Sequence, residues 1–370
     1  MSNPKTDPVI EILRHGVDSG VFPGAVLWVG HHERELYHVA IGDAACLPQP
    51  LFLDRDTRFD LASLTKPMAV ATPFMTLFAK RKISLETPLS QYFPEFSSTP
   101  DRARVTLGHL LTHASGLPAW RPLYEGAADA DQVVARAAAE PLEHAPGECA
   151  VYSDLGFILL GRVLEKVTGS PLDRLFADTV CEPFGLTDTG FNRGNRPERY
   201  AGHSVAATAD CPRRGMVLGV VHDDNAYAMD GVAGHAGLFG TARDVGRWAE
   251  GLVAAWNGRK APLPQAIVRH FFSRDDSVSG SCRTLGFDTP AATPSGPSAC
   301  GTHFGPATVG HLGFTGTSVW IDPEREWVVV LLTNRIHPDP ENNRIRAFRP
   351  QLHETVAQAL IHEPGPSHGG

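Results

Sequence analysis

The chain has 370 residues, of which 42% are hydrophobic, so it is long and apolar enough to bury a large core in one big domain or two interlocked ones. Its formal net charge is -8 at pH 7, without any block of five or more like charges. A nucleic-acid-binding or anionic-membrane-binding surface needs clustered Lys and Arg, so this charge pattern argues against both. We expect a small-molecule or peptide substrate, while the oligomeric state stays open.

The N-terminal residues 1–7 are polar and show no basic segment followed by an apolar one. We therefore see no signal peptide and expect a cytoplasmic protein, or a periplasmic or extracellular one if a leader was removed. The longest apolar runs, such as Val328 to Leu332, are far too short to cross a bilayer. The cysteines lack C-x-x-C spacing, which indicates reduced thiols rather than a disulfide frame or a zinc site. They are Cys46, Cys149, Cys181, Cys211, Cys282 and Cys300.

The first elements are predicted to be a helix and two strands. Asp7 to Ser19 has the apolar spacing of an amphipathic helix, which Gly20 ends. Ala25 to Val29 and Glu35 to Ile41 are short apolar segments around four polar residues, the pattern of a β-hairpin. The chain therefore begins helix, strand, strand.

The far end of the chain has the same types of element. Ser318 to Ile321 and Trp327 to Thr333 flank a polar turn and predict a second hairpin, and Gln351 to Ile361 predicts a closing helix. The segment from Ser273 to Pro306 is rich in Ser, Gly, Pro and Thr and predicts an irregular excursion, with Leu285 to Phe287 as a possible strand.

The middle of the sequence is mainly helical in pattern. Strands from both ends with helices between them predict an α/β protein of the α+β type, with one antiparallel sheet, flanking helices and a helical lobe. We expect residues 1–66 and 235–370 to form the sheet domain and residues 67–234 the helical domain, with the active site in the groove between them. The predicted middle helices are Pro67 to Lys80, Thr106 to Thr112, Asp129 to Ala139, Leu155 to Thr168 and Pro171 to Val180.

The stretch Ser63-Leu64-Thr65-Lys66 places a hydroxyl and a lysine one helical turn apart. Serine is a weak nucleophile without a base in reach, and a lysine can serve as that base if its surroundings lower its pKa. Pro67 suits a first helical turn, which favours a helix that starts near Ser63. The plainer interpretation is a serine cap beside an exposed lysine, and this motif alone does not decide between them.

A second polar segment, Tyr152-Ser153-Asp154, follows a Pro-Gly turn and precedes a predicted helix. A tyrosinate beside a protonated lysine could accept the serine proton, and the aspartate could orient either a substrate amide or the lysine. Ser153 or Asp154 could equally cap the helix, and capping does not exclude catalysis.

A third segment runs from Gly310 to Ser318 and leads into the second hairpin. Its glycines allow a ligand to lie close to the strand. The backbone N–H of Phe314, with that of Ser63, could form an oxyanion hole beside Gly313, with His311 as a donor or proton relay.

His222, Asp223, Asp224 and His235 could instead be metal ligands, because imidazole and carboxylate suit zinc. Nothing in their spacing matches H-E-x-x-H, so we expect a structured loop that supports the site, and neither a metal nor a cofactor. The sequence also contains no G-x-S-x-G, which excludes the α/β-hydrolase type of esterase.

The three segments, in this order and with these separations, resemble the motifs of the penicillin-recognising serine hydrolases. Class A β-lactamases have S-x-x-K, S-D-N and K-T-G. The second motif here begins with a tyrosine, Tyr152, and in this it resembles the second motif of class C β-lactamases and of their esterase and D,D-peptidase relatives. The likeness extends from Gly24 to the final helix, and the segments Val221 to Ala226 and Gly231 to Phe239 look like a subgroup that includes low-molecular-mass penicillin-binding proteins.

This resemblance implies a β-lactamase/transpeptidase-like fold with a five-stranded antiparallel sheet, helices on both faces and a helical domain. It also implies that Ser63 is acylated, that Lys66 activates it, and that Tyr152 is the general base and later activates water. His311 would occupy the place of the lysine in K-T-G.

Three positions depart from the family pattern. His311 is mostly neutral near pH 7, and Leu312 removes a hydroxyl that helps to bind the carboxylate of penicillins. Asp154 stands where an asparagine commonly holds a substrate amide, and a carboxylate accepts hydrogen bonds but does not donate them. These changes argue against strong β-lactamase activity.

The sequence therefore predicts a serine hydrolase that forms an acyl-enzyme at Ser63 and acts on D-alanyl-type peptides or small esters. The alternatives are a weak class C-type β-lactamase and a non-catalytic penicillin-binding sensor. Fold and motifs do not separate these, because specificity lies in the loops.

Overall fold

The computed structural model describes residues 7–211, 213–291 and 298–361, so residues 1–6 and part of the predicted excursion at 273–306 lie outside it. In chain order, the strands of the described residues are β1 (Gly24–His31), β2 (Arg34–Ala45), β3 (Leu51–Phe52), β4 (Phe59–Asp60), β5 (Gly190–Phe191), β6 (Ala207–Cys211), β7 (Gly215–Leu218), β8 (Leu238–Gly240), β9 (Val309–Leu312), β10 (Ser318–Asp322) and β11 (Trp327–Thr333).

Helices fill most of the chain between the two groups of long strands. They are α1 (Pro8–Asp18), α2 (Thr72–Ala79), α3 (Pro100–Ala103), α4 (Leu107–Leu111), α5 (Ala130–Ala139), α6 (Asp154–Thr168), α7 (Leu172–Phe176), α8 (Glu182–Phe184), α9 (Asp224–Ala228), α10 (Ala242–Trp256), α11 (Gln265–Phe272) and α12 (Ile345–Ile361). Two π-helical segments, Lys66–Ala71 and Ala177–Cys181, lead into α2 and α8.

The main sheet joins strands from both ends of the chain. Within the described residues it has six antiparallel strands in the order β3-β2-β1-β11-β10-β9. The central pair runs from Ala25 opposite Thr333 to His31 opposite Trp327. This confirms the predicted antiparallel sheet, and the strand beyond the five expected is the two-residue β3 at one edge.

Two hydrophobic cores cover the two faces of this sheet. Because successive side chains of a strand point to opposite faces, Val26 and Trp28 face the core shared with the middle helices, whereas Leu27 and Val29 face the core shared with α1 and α12. The first core also contains residues of the middle helices, such as Leu159 and Leu160 of α6, so the sheet and these helices share one packed interior.

Most predicted elements are confirmed, with shifts at their ends. α1 begins after the Asp7 cap and ends at the Ser19 cap, as expected. Leu285 to Phe287 is wrong as a strand, because these residues turn between the isolated bridge partners Arg283 and Asp288. α12 begins six residues before the predicted start at Gln351 and includes Pro350. No described helix is both long and apolar enough to span a bilayer.

Candidate active site

Ser63 lies in a short 3₁₀ turn, Ala62–Leu64, between β4 and the π-helical segment. Ala62 has φ of +48°, a left-handed conformation that is unusual for a residue with a side chain. The buried Asp60 stabilises this turn, because its Oδ1 accepts the Ala62 N–H at 2.9 Å and its Oδ2 accepts the His222 N–H at 2.8 Å. Burial raises the pKa of Asp60 to about 6, although these two hydrogen bonds act to lower it.

Lys66 is completely buried beneath the serine. Its Nζ donates to Ser63 Oγ at 2.9 Å and to the backbone oxygen of His235 at 3.2 Å. The same Nζ lies 2.6 Å from Asp154 Oδ1 in an ion pair. Of the two orienting roles predicted for Asp154, the structure therefore shows contact with the lysine.

Tyr152 completes a cluster with Ser63 and Lys66. The Lys66 Nζ lies 4.8 Å from the centre of its ring, and its hydroxyl interacts with the side chains of Lys66 and Ser63. Burial raises the pKa of Tyr152 more than Lys66 lowers it, and Asp154 raises it further. The resting tyrosine is therefore a neutral phenol at neutral pH, not the tyrosinate that the sequence suggested.

The pKa of Lys66 is also displaced. Burial acts to lower it, but Asp154 and Tyr152 together raise it above its ordinary value. The lysine is therefore an ammonium ion at neutral pH. Because Lys66 and Tyr152 interact so closely, they titrate as one coupled pair.

Ser153 takes the capping place that the sequence also allowed. Its hydroxyl accepts the Gly156 N–H at 3.3 Å as the N-cap of α6 and donates to the Pro118 carbonyl at 2.6 Å. It is buried and is not among the residues that line the cavity, so the structure shows support of the α6 terminus, and contact of Ser153 with substrate stays a prediction.

His311 lies on β9 beside the cluster. Its Nδ1 is 2.9 Å from the backbone oxygen of Leu312, and its ring centre is 5.9 Å from that of Tyr152. Burial, followed by the charges of Lys66 and Arg283, holds the pKa of His311 well below its usual range. His113 flanks the other side of Tyr152 at 4.6 Å between ring centres, and burial lowers its pKa in the same way.

Gly313 and Phe314 form the turn after β9. Gly313 lies against the Ser63 turn, because a Cβ added there would be 2.9 Å from the Leu61 oxygen and 3.4 Å from the Ala62 Cβ. The Phe314 ring is 53% exposed at the cavity mouth and stacks on His222 at 5.7 Å between ring centres. Burial lowers the pKa of His222.

The predicted supporting residues form a hydrogen-bonded group. His235 Nε2 lies 2.8 Å from Asp223 Oδ1, and the same oxygen accepts the Ala226 N–H at 2.8 Å as the cap of α9. Burial acts to raise the pKa of Asp223, but His235, the Ala226 N–H and His222 together lower it below its usual value. Among the described residues, no group of three or more His, Cys, Asp or Glu side chains is arranged to hold a metal ion.

These groups surround one cavity of about 660 Å³. Of the predicted residues, Lys66 and Ser153 lie behind its surface, and the other nine line it. Sequence reasoning missed Asp60 and several groups that reach the cavity from segments without a motif. These are Trp120, Arg283, Asp288, Arg335, Arg346 and Arg349.

An antiparallel sheet between helices, with a serine, a buried lysine and a tyrosine at its edge, defines a serine hydrolase of the S-x-x-K type. The chain belongs to the β-lactamase family, whose model matches residues 9–353.

Its relatives agree with that class. A protein of Escherichia coli strain K12, named provisionally as a D-alanyl-D-alanine carboxypeptidase, is 31% identical in an alignment of 363 positions that covers 88% of this chain and 82% of that protein. The N-acetylmuramyl-L-alanine amidase of Bacillus subtilis strain 168 is 31% identical in an alignment of 376 positions that covers 92% of this chain and 84% of that protein.

Solved structures show the same fold. EstCE1, a hydrolase with promiscuous acyltransferase activity, matches with a TM-score of 0.70 and 24% identity over 93% of this chain and 97% of its own. The octameric penicillin-binding protein homologue of Pyrococcus abyssi matches with a TM-score of 0.71 and 18% identity over 97% of this chain and 78% of its own.

Proposed function

We propose that this serine hydrolase forms an acyl-enzyme at Ser63 and releases the acyl group to water, with D-alanyl-type peptides or small esters as substrates. The observation that carries the proposal is the contact of Ser63 Oγ with the Nζ of a buried lysine at 2.9 Å, beside Tyr152. A serine in such contact can transfer its proton as it attacks.

The coupled Lys66–Tyr152 pair is the proton acceptor. Both groups are protonated at rest, so the pair must first lose one proton to solvent. Ser63 Oγ then bonds to the substrate carbonyl carbon while its proton passes to the pair. When the tetrahedral intermediate collapses, the leaving group departs with that proton. The pair then takes a proton from water as the water oxygen bonds to the ester carbonyl carbon. The bond from that carbon to Ser63 Oγ breaks, Ser63 Oγ takes the proton back from the pair, and the acyl group leaves as a carboxylic acid.

The negative charge on the carbonyl oxygen is stabilised by backbone N–H groups. Ser63 and Phe314 supply them, since the Gly313 turn lies directly against the Ser63 turn. Fixed N–H donors that stabilise this oxyanion are usually the largest single contribution to lowering the activation free energy of acyl transfer.

The substrate class rests on relatives and on the cavity. The E. coli relative is named for D-alanyl-D-alanine and the B. subtilis relative for N-acetylmuramyl-L-alanine, whereas EstCE1 is a hydrolase with promiscuous acyltransferase activity. A cavity of 660 Å³ accommodates a short peptide or a small ester. At the positions of K-T-G, neutral His311 and Leu312 supply no cation and no hydroxyl, which disfavours the family's contact with a penicillin carboxylate. A cation for such a carboxylate would have to come from arginines elsewhere in the lining, such as Arg283 and Arg346.

One preparation tests this proposal against three substrates: a D-alanyl-D-alanine peptide, a p-nitrophenyl ester and a chromogenic cephalosporin. We expect hydrolysis of the peptide or the ester at least ten times faster than hydrolysis of the cephalosporin, and loss of all three in Ser63→Ala. Hydrolysis that survives in Ser63→Ala, or a preference for the cephalosporin, would contradict the proposal.

A penicillin-binding sensor is the second candidate, because Asp154 neutralises Lys66 at 2.6 Å and so disfavours a free base for deacylation. A sensor would keep its acyl group. Intact-mass spectra over time separate the two, since a transient adduct supports the hydrolase and a persistent one supports the sensor.

A further inference from the structure

Two arginines hold the backbone of the turn that carries Phe314. Arg349, from α12, donates through Nη2 to the Gly313 oxygen at 3.1 Å and to the Thr317 oxygen at 2.7 Å. Arg335, just after β11, donates through Nε to the Phe314 oxygen at 2.9 Å. The carbonyl groups of this turn therefore face the arginines.

Arg349 is an unusual side chain for a purely structural role. It is only 6% exposed, and no carboxylate of the described residues forms an ion pair with it. Burial lowers the pKa of Arg349, and the positive charges of Arg335 and Arg346 lower it further. A buried guanidinium among other cations costs stability, so carbonyl acceptors alone do not explain why a cation is placed here.

The direction of one peptide group connects Arg349 to the serine. In a trans peptide the C=O and the N–H point in opposite directions. The Gly313 carbonyl points to Arg349, so the N–H of Phe314 in the same peptide points away from it. Gly313 itself lies against Leu61 and Ala62, next to Ser63, and Thr317 Oγ1 donates to the Leu61 oxygen at 3.1 Å.

We infer that Arg349 is a positioning residue for acyl transfer: it fixes the Gly313–Phe314 peptide with the Phe314 N–H toward the reacting carbonyl. Its positive charge also polarises this peptide, so that the N–H becomes a stronger donor as negative charge develops on the substrate oxygen. This role rests on the proposed function, because it requires an oxyanion formed by attack of Ser63.

The test compares Arg349→Gln with Arg344→Gln. Arg344 is exposed immediately before the same helix and donates to the Ser19 oxygen at 2.9 Å, and it neither lines the cavity nor bonds to the 313–317 turn. Its variant therefore removes one positive charge without releasing the peptide. The measurements are kcat and KM for a p-nitrophenyl ester and the Kd of phenylboronic acid, whose tetrahedral serine adduct places an oxygen where the oxyanion forms.

We expect Arg349→Gln to lower kcat and weaken boronate binding by similar factors, on the order of 10²-fold, with KM changed less than threefold. Arg344→Gln should change both by less than threefold. Equal effects of the two variants would overturn the inference, because the lost positive charge would then explain them. A change confined to KM would also overturn it, because Arg349 would then act in substrate binding.

Arg349→Lys decides the question if Arg349→Gln does not fold. A lysine keeps the charge but cannot bridge two carbonyls as a planar guanidinium does, so we expect a loss of boronate affinity of at least tenfold. Boronate affinity equal to that of wild type would overturn the inference. If wild type itself hydrolyses no ester and Ser63 takes no acyl probe, the proposed function fails instead, and the two failures are thereby distinguished.

Discussion

At the residue scale, Asp154 decides the charge of the catalytic cluster. Its carboxylate lies 2.6 Å from the Lys66 Nζ, and it raises the pKa of both Lys66 and Tyr152. Each group that could accept the Ser63 proton is therefore held in its protonated form. We expect kcat/KM of wild type to rise with pH beyond pH 8, because deprotonation of the pair produces the active form.

Asp154→Asn should move this pH profile to lower pH. Without the carboxylate the pKa values of Lys66 and Tyr152 fall, so the deprotonated pair is populated at lower pH, and the rising limb of kcat/KM should shift by roughly one unit or more. The profile is measured with a p-nitrophenyl ester at temperatures where the variant remains folded.

Asp224→Asn is the matched control for this charge change. Asp224 lines the same cavity but pairs with Arg213 and Arg214 rather than with Lys66. Removal of this carboxylate should leave the rising limb of the kcat/KM pH profile where it is in wild type. A rising limb that shifts equally in both variants, or toward higher pH in Asp154→Asn, would contradict the role of Asp154.

At the element scale, α6 delivers two of the cluster residues to the site. Ser153 caps its N-terminus, Tyr152 precedes the cap and Asp154 is the first helical residue. Ser153 also receives support from His113, whose Nδ1 accepts the Ser153 N–H at 2.9 Å. The cap therefore sets the positions of the neighbours on both sides.

Ser153→Ala should lower both stability and activity. Loss of the cap and of the bond to the Pro118 carbonyl should reduce the free energy of unfolding by about 1–2 kcal/mol in urea denaturation. We also expect kcat/KM to fall at least tenfold, because Tyr152 and Asp154 lose their fixed positions.

Thr241→Ala provides the comparison, since Thr241 caps α10 by accepting the Asp244 N–H at 3.3 Å and does not line the cavity. It should lose similar stability and keep its kcat/KM. Equal losses of activity in the two variants would mean that the Ser153 cap affects only stability.

The parts of the site that could be predicted from the sequence are those whose residues lie close together in the chain. Ser63 and Lys66 are separated by one turn, so their contact followed from spacing, and the Ser153 cap was visible beside its helix. The contacts of Arg349 and Arg283 were not predictable, because each reaches the cavity from a distant segment without a motif. Whether Asp154 contacts the substrate or Lys66 could not be predicted either, because the distance from its carboxylate to the Lys66 Nζ depends on the tertiary structure and not on sequence spacing.

At the scale of the whole molecule, the main sheet holds both ends of the chain together and carries the site at one edge. α10 packs on β1 through Gly246, which allows close approach to Trp28. A Cβ added to Gly246 would lie 2.5 Å from Cε3 of the Trp28 ring. The sheet was predictable because its strands are short apolar segments that flank polar turns. α10 was not predicted, although Thr241 caps it and its buried residues recur at helical spacing.

Gly246→Ala should destabilise the protein by about 1–3 kcal/mol, because the new methyl group collides with the ring of a buried tryptophan. Gly156→Ala tests the same substitution in α6, where the added Cβ would meet Leu110 Cδ2 at 3.4 Å, an ordinary contact. It should gain up to about 1 kcal/mol from helix propensity. Equal urea midpoints for the two variants would contradict this packing.

The site of acylation is the most direct test of Ser63 as the nucleophile. Wild type and Ser63→Ala are treated with a fluorophosphonate, and the intact mass and the labelled peptide are determined. We expect one adduct on wild type, located at Ser63, and none on Ser63→Ala. An adduct on another residue, equal labelling of both proteins, or an unlabelled wild type that still hydrolyses ester would contradict it.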